Sequence, residues 1–99
     1  SLYLEEESIE LDEARLEELV DEWEAKLLPK HEQLQNTFTI NEAEEFAEQL
    51  YKLAVEYEVK LLINYASQLQ DQIAGFEVIK VKDTLEEFED LLAKLNSLE

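Results

Sequence analysis

An all-α fold, an up-and-down four-helix bundle with room for an extra short N-terminal or connecting helix, is what this sequence predicts. Three observations carry the prediction. Apolar residues recur at steps of three and four along most of the chain, which gathers them on one face of a helix. A single Gly and a single Pro leave few sites for the tight turns and corners of a sheet, so long helices with brief connections are expected. Finally, 99 residues that are 45% hydrophobic and 34% charged suit one small domain, neither disordered nor membrane-like in composition.

Residues 1–10, SLYLEEESIE, mix Leu2, Tyr3, Leu4 and Ile9 with acidic residues in no helical period, and read as a linker or lead-in to a single domain over 11–99. Ser1 stands where an initiator Met would, which reads as a piece of a longer chain. From Leu11 the pattern sharpens: Leu16, Leu19, Val20, Trp23 and Leu27 share a face, and Asp12 and Glu13 suit the positive end of a helix dipole. At Pro29 the helix is expected to end, kink, or restart with Pro at its first position. The piece PKHEQLQN then leads into TFTIN, where Thr37, Phe38, Thr39 and Ile40 favour an extended connection. Asn41 is the expected N-cap of the next helix, with Glu44 reaching back as in a capping box.

That helix places Ala43, Phe46, Ala47, Leu50, Leu53, Ala54 and Tyr57 inward. Helical period resumes at Leu61, Leu62, Tyr65, Ala66, Leu69 and Ile73. No Gly or Pro marks a turn in AVEYEVK, so one long helix is an alternative, but a break near residues 57–59 lets the two stripes bury each other. Gly75 fits a left-handed helix-closing position. A last amphipathic helix follows with Val78, Val81, Leu85, Phe88, Leu91, Leu92 and Leu95, although FEVIKVK alternates like a strand and its start is helical or irregular.

Composition excludes several functions. Eight basic against 26 acidic residues give a formal charge of −18, a field that repels phosphate backbones and anionic lipid. Nucleic acid is therefore not an expected partner, whereas a basic protein surface is compatible with the charge, as is simple solubility. The absence of Cys excludes disulfide and thiolate chemistry and leans toward a cytoplasmic location. No apolar run nears the roughly 18 to 20 residues of a membrane span, so no membrane insertion is expected.

No chemistry is assignable to the side chains either. One glycine builds no nucleotide loop, and no cofactor is implied. A di-metal site needs Glu-x-x-His pairs, but Leu28 stands three places before His31, the sole histidine; the carboxylates read as a solvated surface and no metal ligands are assigned. His31 itself reads as an exposed or capping residue, without a nucleophile or orienting group beside it. Trp23, Tyr57 and Tyr65 read as core aromatics with a polar tip turned to the surface, while Tyr51 falls off the main apolar stripe.

The stretch FAEQLYKLAVEYEVKLLINYASQL, residues 46–69, resembles the histidine phosphotransfer domain, a four-helix bundle of bacterial signalling. Ala47, Leu50, Ala54, Leu62, Ala66 and Leu69 match that family's apolar and small positions. The pattern is also similar to C-terminal helical segments of bacterial hybrid sensor kinases: Phe46, Ala47, Leu50, Leu53 and Ala54, then Leu62, Tyr65, Ala66 and Leu69, then Phe76, Glu77 and Val78, and finally Leu85 and Phe88, over about residues 27–95. Glu48 stands where the family carries its phosphorylated histidine, and Lys52 and Glu58 where it has glycines. A carboxylate forms no phosphohistidine. The resemblance therefore implies a non-catalytic docking or regulatory module of a two-component signalling protein. Its partner would be a receiver or kinase domain, bound on a face containing Glu44, Glu48, Tyr51 and Lys52. The residue-level reading of Glu48 is an exposed acid paired with Lys52. Alternatives are phosphotransfer through His31, an acidic protein-binding or inhibitor module, and an engineered bundle, against which the irregular TFTIN and FEVIKVK segments argue.

Overall fold

Pro29 explains the most unusual turn of the protein. In the computed structural model, which describes residues 11–97, α1 (Glu13–Glu22) runs without a break into a π-helical turn (Trp23–Leu27) and on into α2 (Leu28–Asn36). Proline has no N–H for the carbonyl four residues back and its ring crowds that carbonyl. The chain widens instead, and the Leu28 N–H reaches back to the Trp23 carbonyl. Pro29 thus sits second in α2 rather than first, and PKHEQLQN is helix throughout. At about 1.5 Å per residue this rod accounts for the 36 Å long axis of the molecule. The expected linker at residues 1–10 lies outside the described residues.

Only residues 37–39 separate α2 from α3 (Ile40–Glu56). Thr39 is extended at φ −135°, ψ 148°, and its hydroxyl accepts from the Glu42 N–H at 3.2 Å. The same hydroxyl lies 3.2 Å from the Glu42 carboxylate. The cap is thus Thr39 with Glu42, two residues before the expected Asn41 and Glu44, because Ile40 already turns helical and packs against the core. At the start of α1, Asp12 is the cap: its Oδ1 accepts from the Arg15 N–H at 2.8 Å.

The break expected near residues 57–59 is present, between α3 and α4 (Lys60–Ala74). It is a Schellman closure: the Val59 N–H bonds the Ala54 carbonyl at 3.0 Å and the Glu58 N–H bonds Val55 at 3.1 Å, with Glu58 left-handed at φ 53°. Residues 75–77 repeat the motif at the end of α4. There Glu77 N–H bonds Gln72 and Phe76 N–H bonds Ile73, both at 3.0 Å, and Phe76 is left-handed at φ 54°. Gly75, expected left-handed, stands one place too early at φ −86°.

The final amphipathic segment is two helices, α5 (Val78–Glu86) and α6 (Phe88–Ser97), rather than one. Of FEVIKVK, Phe76 and Glu77 belong to the closure of α4 and the rest is the start of α5; Val81 is buried but Val78 is not. Successive rods pack on one another, α3 most extensively on α4, and α6 closes onto α1. The result is an up-and-down, all-α bundle of four rods, with no strand among the described residues. Every apolar residue assigned inward on the first three rods is buried. One core collects Leu19, Trp23, Phe46, Leu50, Leu62, Tyr65, Leu69 and Phe88.

Candidate docking face

The two residues that could carry transfer chemistry, His31 and Glu48, end in opposite environments. His31, expected exposed or capping, is 1% exposed. It stacks on Phe88 with centroids 4.5 Å apart, lies 6.0 Å from Phe46, and Phe88 stacks in turn on Trp23 at 4.7 Å. The interruption between α5 and α6 draws the imidazole in. A helix end leaves carbonyls without their usual donor four residues on; His31 Nε2 donates to the Leu85 carbonyl at 2.7 Å, and the Tyr65 hydroxyl donates to that of Thr84, which also accepts the Glu87 N–H at 3.1 Å. Tyr65 therefore turns its polar tip inward, against expectation, and the Thr84 hydroxyl donates to Gln72 Oε1 at 2.7 Å.

Because Leu85 can only accept, Nε2 carries a hydrogen. The Gln35 amide, 3.3 Å from the same nitrogen, fits only with its oxygen turned to the ring. His31 Nδ1 and Trp23 Nε1 are sealed without a hydrogen-bond partner, each at a cost of about 1–3 kcal/mol. Among the described residues the imidazole's hydrogen-bond partners are the Leu85 carbonyl and Gln35, and no carboxylate pairs with it.

Glu48 lies on the outward side of α3 and pairs with Lys52 at 3.1 Å, as the i, i+4 spacing predicts. Both groups are largely in water, so the pair contributes only a few tenths of a kcal/mol. Glu44, Glu48, Tyr51 and Lys52 are all exposed, and Tyr51 is off the apolar stripe as expected. Val55, one turn beyond Tyr51, is 46% exposed and extends the same stripe. Its i+4 relation to Tyr51 was visible in the sequence.

The four residues do not line one surface recess. Glu44 and Glu48 edge a shallow groove of about 420 Å³ toward α4, with Ala47, Gln70, Ile73 and Ala74. Lys52 edges a larger groove on the other side of α3, toward the π turn. At the far end of α3, Arg15 closes the helix. Its guanidinium donates to the Glu56 carbonyl at 3.2 Å and to Glu18 at 3.0 Å, and lies 4.1 Å above the Tyr57 ring. Loss of water around the Tyr57 phenol raises its pKa above 10.0, with Glu18 and Glu56 adding to the rise and Arg15 opposing it.

Among the described residues no group of three His, Asp or Glu side chains is placed to hold a metal ion, and no helix is long and apolar enough to cross a membrane. No family model, curated protein or solved structure matches the chain.

Proposed function

We propose that the chain is a non-catalytic docking or regulatory module of a two-component signalling protein, a phosphotransfer-like bundle in which Glu48 takes the place of the histidine. The observation that carries this reading is the placement of Glu48: mid-helix on the outward side of the α3–α4 pair, largely in water, with Tyr51 and Val55 exposed along the same side. A receiver or kinase domain would dock there through Glu44, Glu48, Tyr51 and Lys52, gaining its affinity chiefly from the aromatic and aliphatic side chains. Phosphotransfer through His31 is the weaker reading, since its imidazole is enclosed by Phe46 and Phe88 and one nitrogen is committed to Leu85.

Titration of ¹⁵N-labelled protein with purified receiver and kinase domains of bacterial hybrid sensor kinases tests the proposal. Amide shifts at Glu44, Glu48, Tyr51, Lys52 and Val55, abolished by Tyr51→Ala without change in helicity, are expected. Shifts absent from this side of α3 would overturn it.

A further inference from the structure

We propose that the groove between the π turn and α3 is a binding site for a short acidic segment of a partner protein, with a carboxylate on Lys30 and an apolar side chain against Pro29 and Leu53. The groove holds about 590 Å³, within the range of roughly 300–1,000 Å³ typical of ligand pockets. Its walls are Ala25, Leu27, Pro29 and Leu53, and its charged rim is Lys26, Lys30 and Lys52 against Glu22 and Glu56. Three of the eight basic residues of a chain with 26 acids thus meet at one recess, where cations outnumber anions. The neighbouring recesses have the opposite or an even balance: Glu44 and Glu48 edge the α4 side, Glu18, Asp21 and Glu22 face a lone Lys26 above, and Lys82 meets Glu86 near Phe38.

A second observation singles out Lys30. Lys26 is held by Glu22 at 2.6 Å and Lys52 by Glu48 at 3.1 Å. Lys30 is half-buried yet has no ion-pair partner among the described residues. Lys30 is thus the lysine of this rim that no carboxylate of the described residues holds, and it can take a partner's carboxylate without breaking an existing ion pair. The π turn contributes to the shape: Pro29 forces it, and both Ala25 within the turn and Pro29 beyond it line the recess. Such widened turns recur at functional sites.

The net charge of −18 repels an acidic ligand at long range, but at about 0.15 M salt charges beyond roughly 8 Å are largely screened. Lysines at the rim then decide. This inference rests on the docking reading only for the polypeptide nature of the ligand; its chemistry comes from the groove.

The test uses the full chain, ¹⁵N-labelled, at physiological salt. The probes are a capped peptide alternating Leu with Asp and Glu, the same peptide with Lys at the acidic positions, and sodium acetate. Expected are amide shifts at Ala25, Lys30, Gln49 and Leu53 with the acidic peptide alone. Lys30→Glu should weaken its binding by about tenfold or more, while Lys82→Glu, an equal change of net charge on α5, leaves it intact. Unchanged helicity and melting temperature in Lys30→Glu exclude a folding defect. Equal binding of the Lys peptide, shifts confined to other surfaces, or equal loss in Lys82→Glu would overturn the site. Acetate binding as tight as the peptide would overturn the polypeptide ligand while leaving the α3 outward side untouched.

Discussion

Two regions of the bundle use the same building block, an amphipathic helix, to opposite ends. On the side where α2 meets α5 and α6, the structure draws polar groups inward: His31, Tyr65 and Thr84 are buried, and the first two serve the carbonyls of Thr84 and Leu85. On the outward side of α3, Glu44, Glu48, Tyr51, Lys52 and Val55 stay in water although their helix buries six other residues. The difference shows what decides the fate of a polar side chain here. It is the supply of helix-end carbonyls that lack their donor four residues on. The interruption at Glu87 leaves those of Thr84 and Leu85 so, with the Glu87 N–H turned back to Thr84 at 3.1 Å and room on each oxygen for a side-chain donor, whereas α3 runs unbroken for 17 residues and offers none along its middle.

The largest effect should come from the ring that holds the inward region together. Phe88 stacks on both Trp23 and His31 and meets Phe46 edge-on at 5.1 Å. Phe88→Ala is expected to cost about 3–5 kcal/mol in urea unfolding. A loss under about 1 kcal/mol would mean that α6 contributes little to closing the bundle.

His31→Ala should cost about 2–3 kcal/mol, since it removes a buried ring and a hydrogen bond to a buried carbonyl. Thermal melts of this variant sharpen the contrast with Glu48. If the two substitutions cost the same, the buried ring and its bond to Leu85 contribute nothing to stability.

Smaller effects are expected at the left-handed closures. Glu58 pays for φ 53° with its Cβ, so Glu58→Gly should stabilise by about 0.5–1 kcal/mol. A Cβ at Gly75 would meet nothing closer than 3.5 Å, and Gly75→Ala should leave the melting temperature nearly unchanged. A marked loss there would show that the glycine, not Phe76, closes α4.

The smallest change is predicted at the residue on which the functional reading turns. Glu48→Ala should alter stability by a few tenths of a kcal/mol at most, measured against Lys52→Ala in a double-mutant cycle. A coupling above about 1 kcal/mol would show that the pair is part of the architecture rather than a contact offered to a partner.

By itself, the sequence was enough to establish the all-α class, the inward stripes from Leu16 to Leu27, Ala43 to Tyr57 and Leu61 to Ile73, and the exposed i, i+4 pair of Glu48 and Lys52. Such features depend on residues one or two turns apart, and helical geometry relates those directly. Even the break at residues 57–59 was legible from the need of two stripes to bury each other, without a Gly or Pro to mark it. Tertiary structure alone decided that Thr39 rather than Asn41 caps α3, that Phe76 rather than Gly75 turns left-handed, that His31 and Tyr65 point inward, and that three lysines meet at one groove. Each of these depends on groups far apart in the chain: a core that seats Ile40, a helix-end carbonyl 54 residues beyond His31, and a rod brought alongside α3 by a turn that Pro29 widened. Local periodicity states which face of a helix is greasy; which neighbour meets that face, and what its backbone has left unpaired, is settled only when the four rods pack.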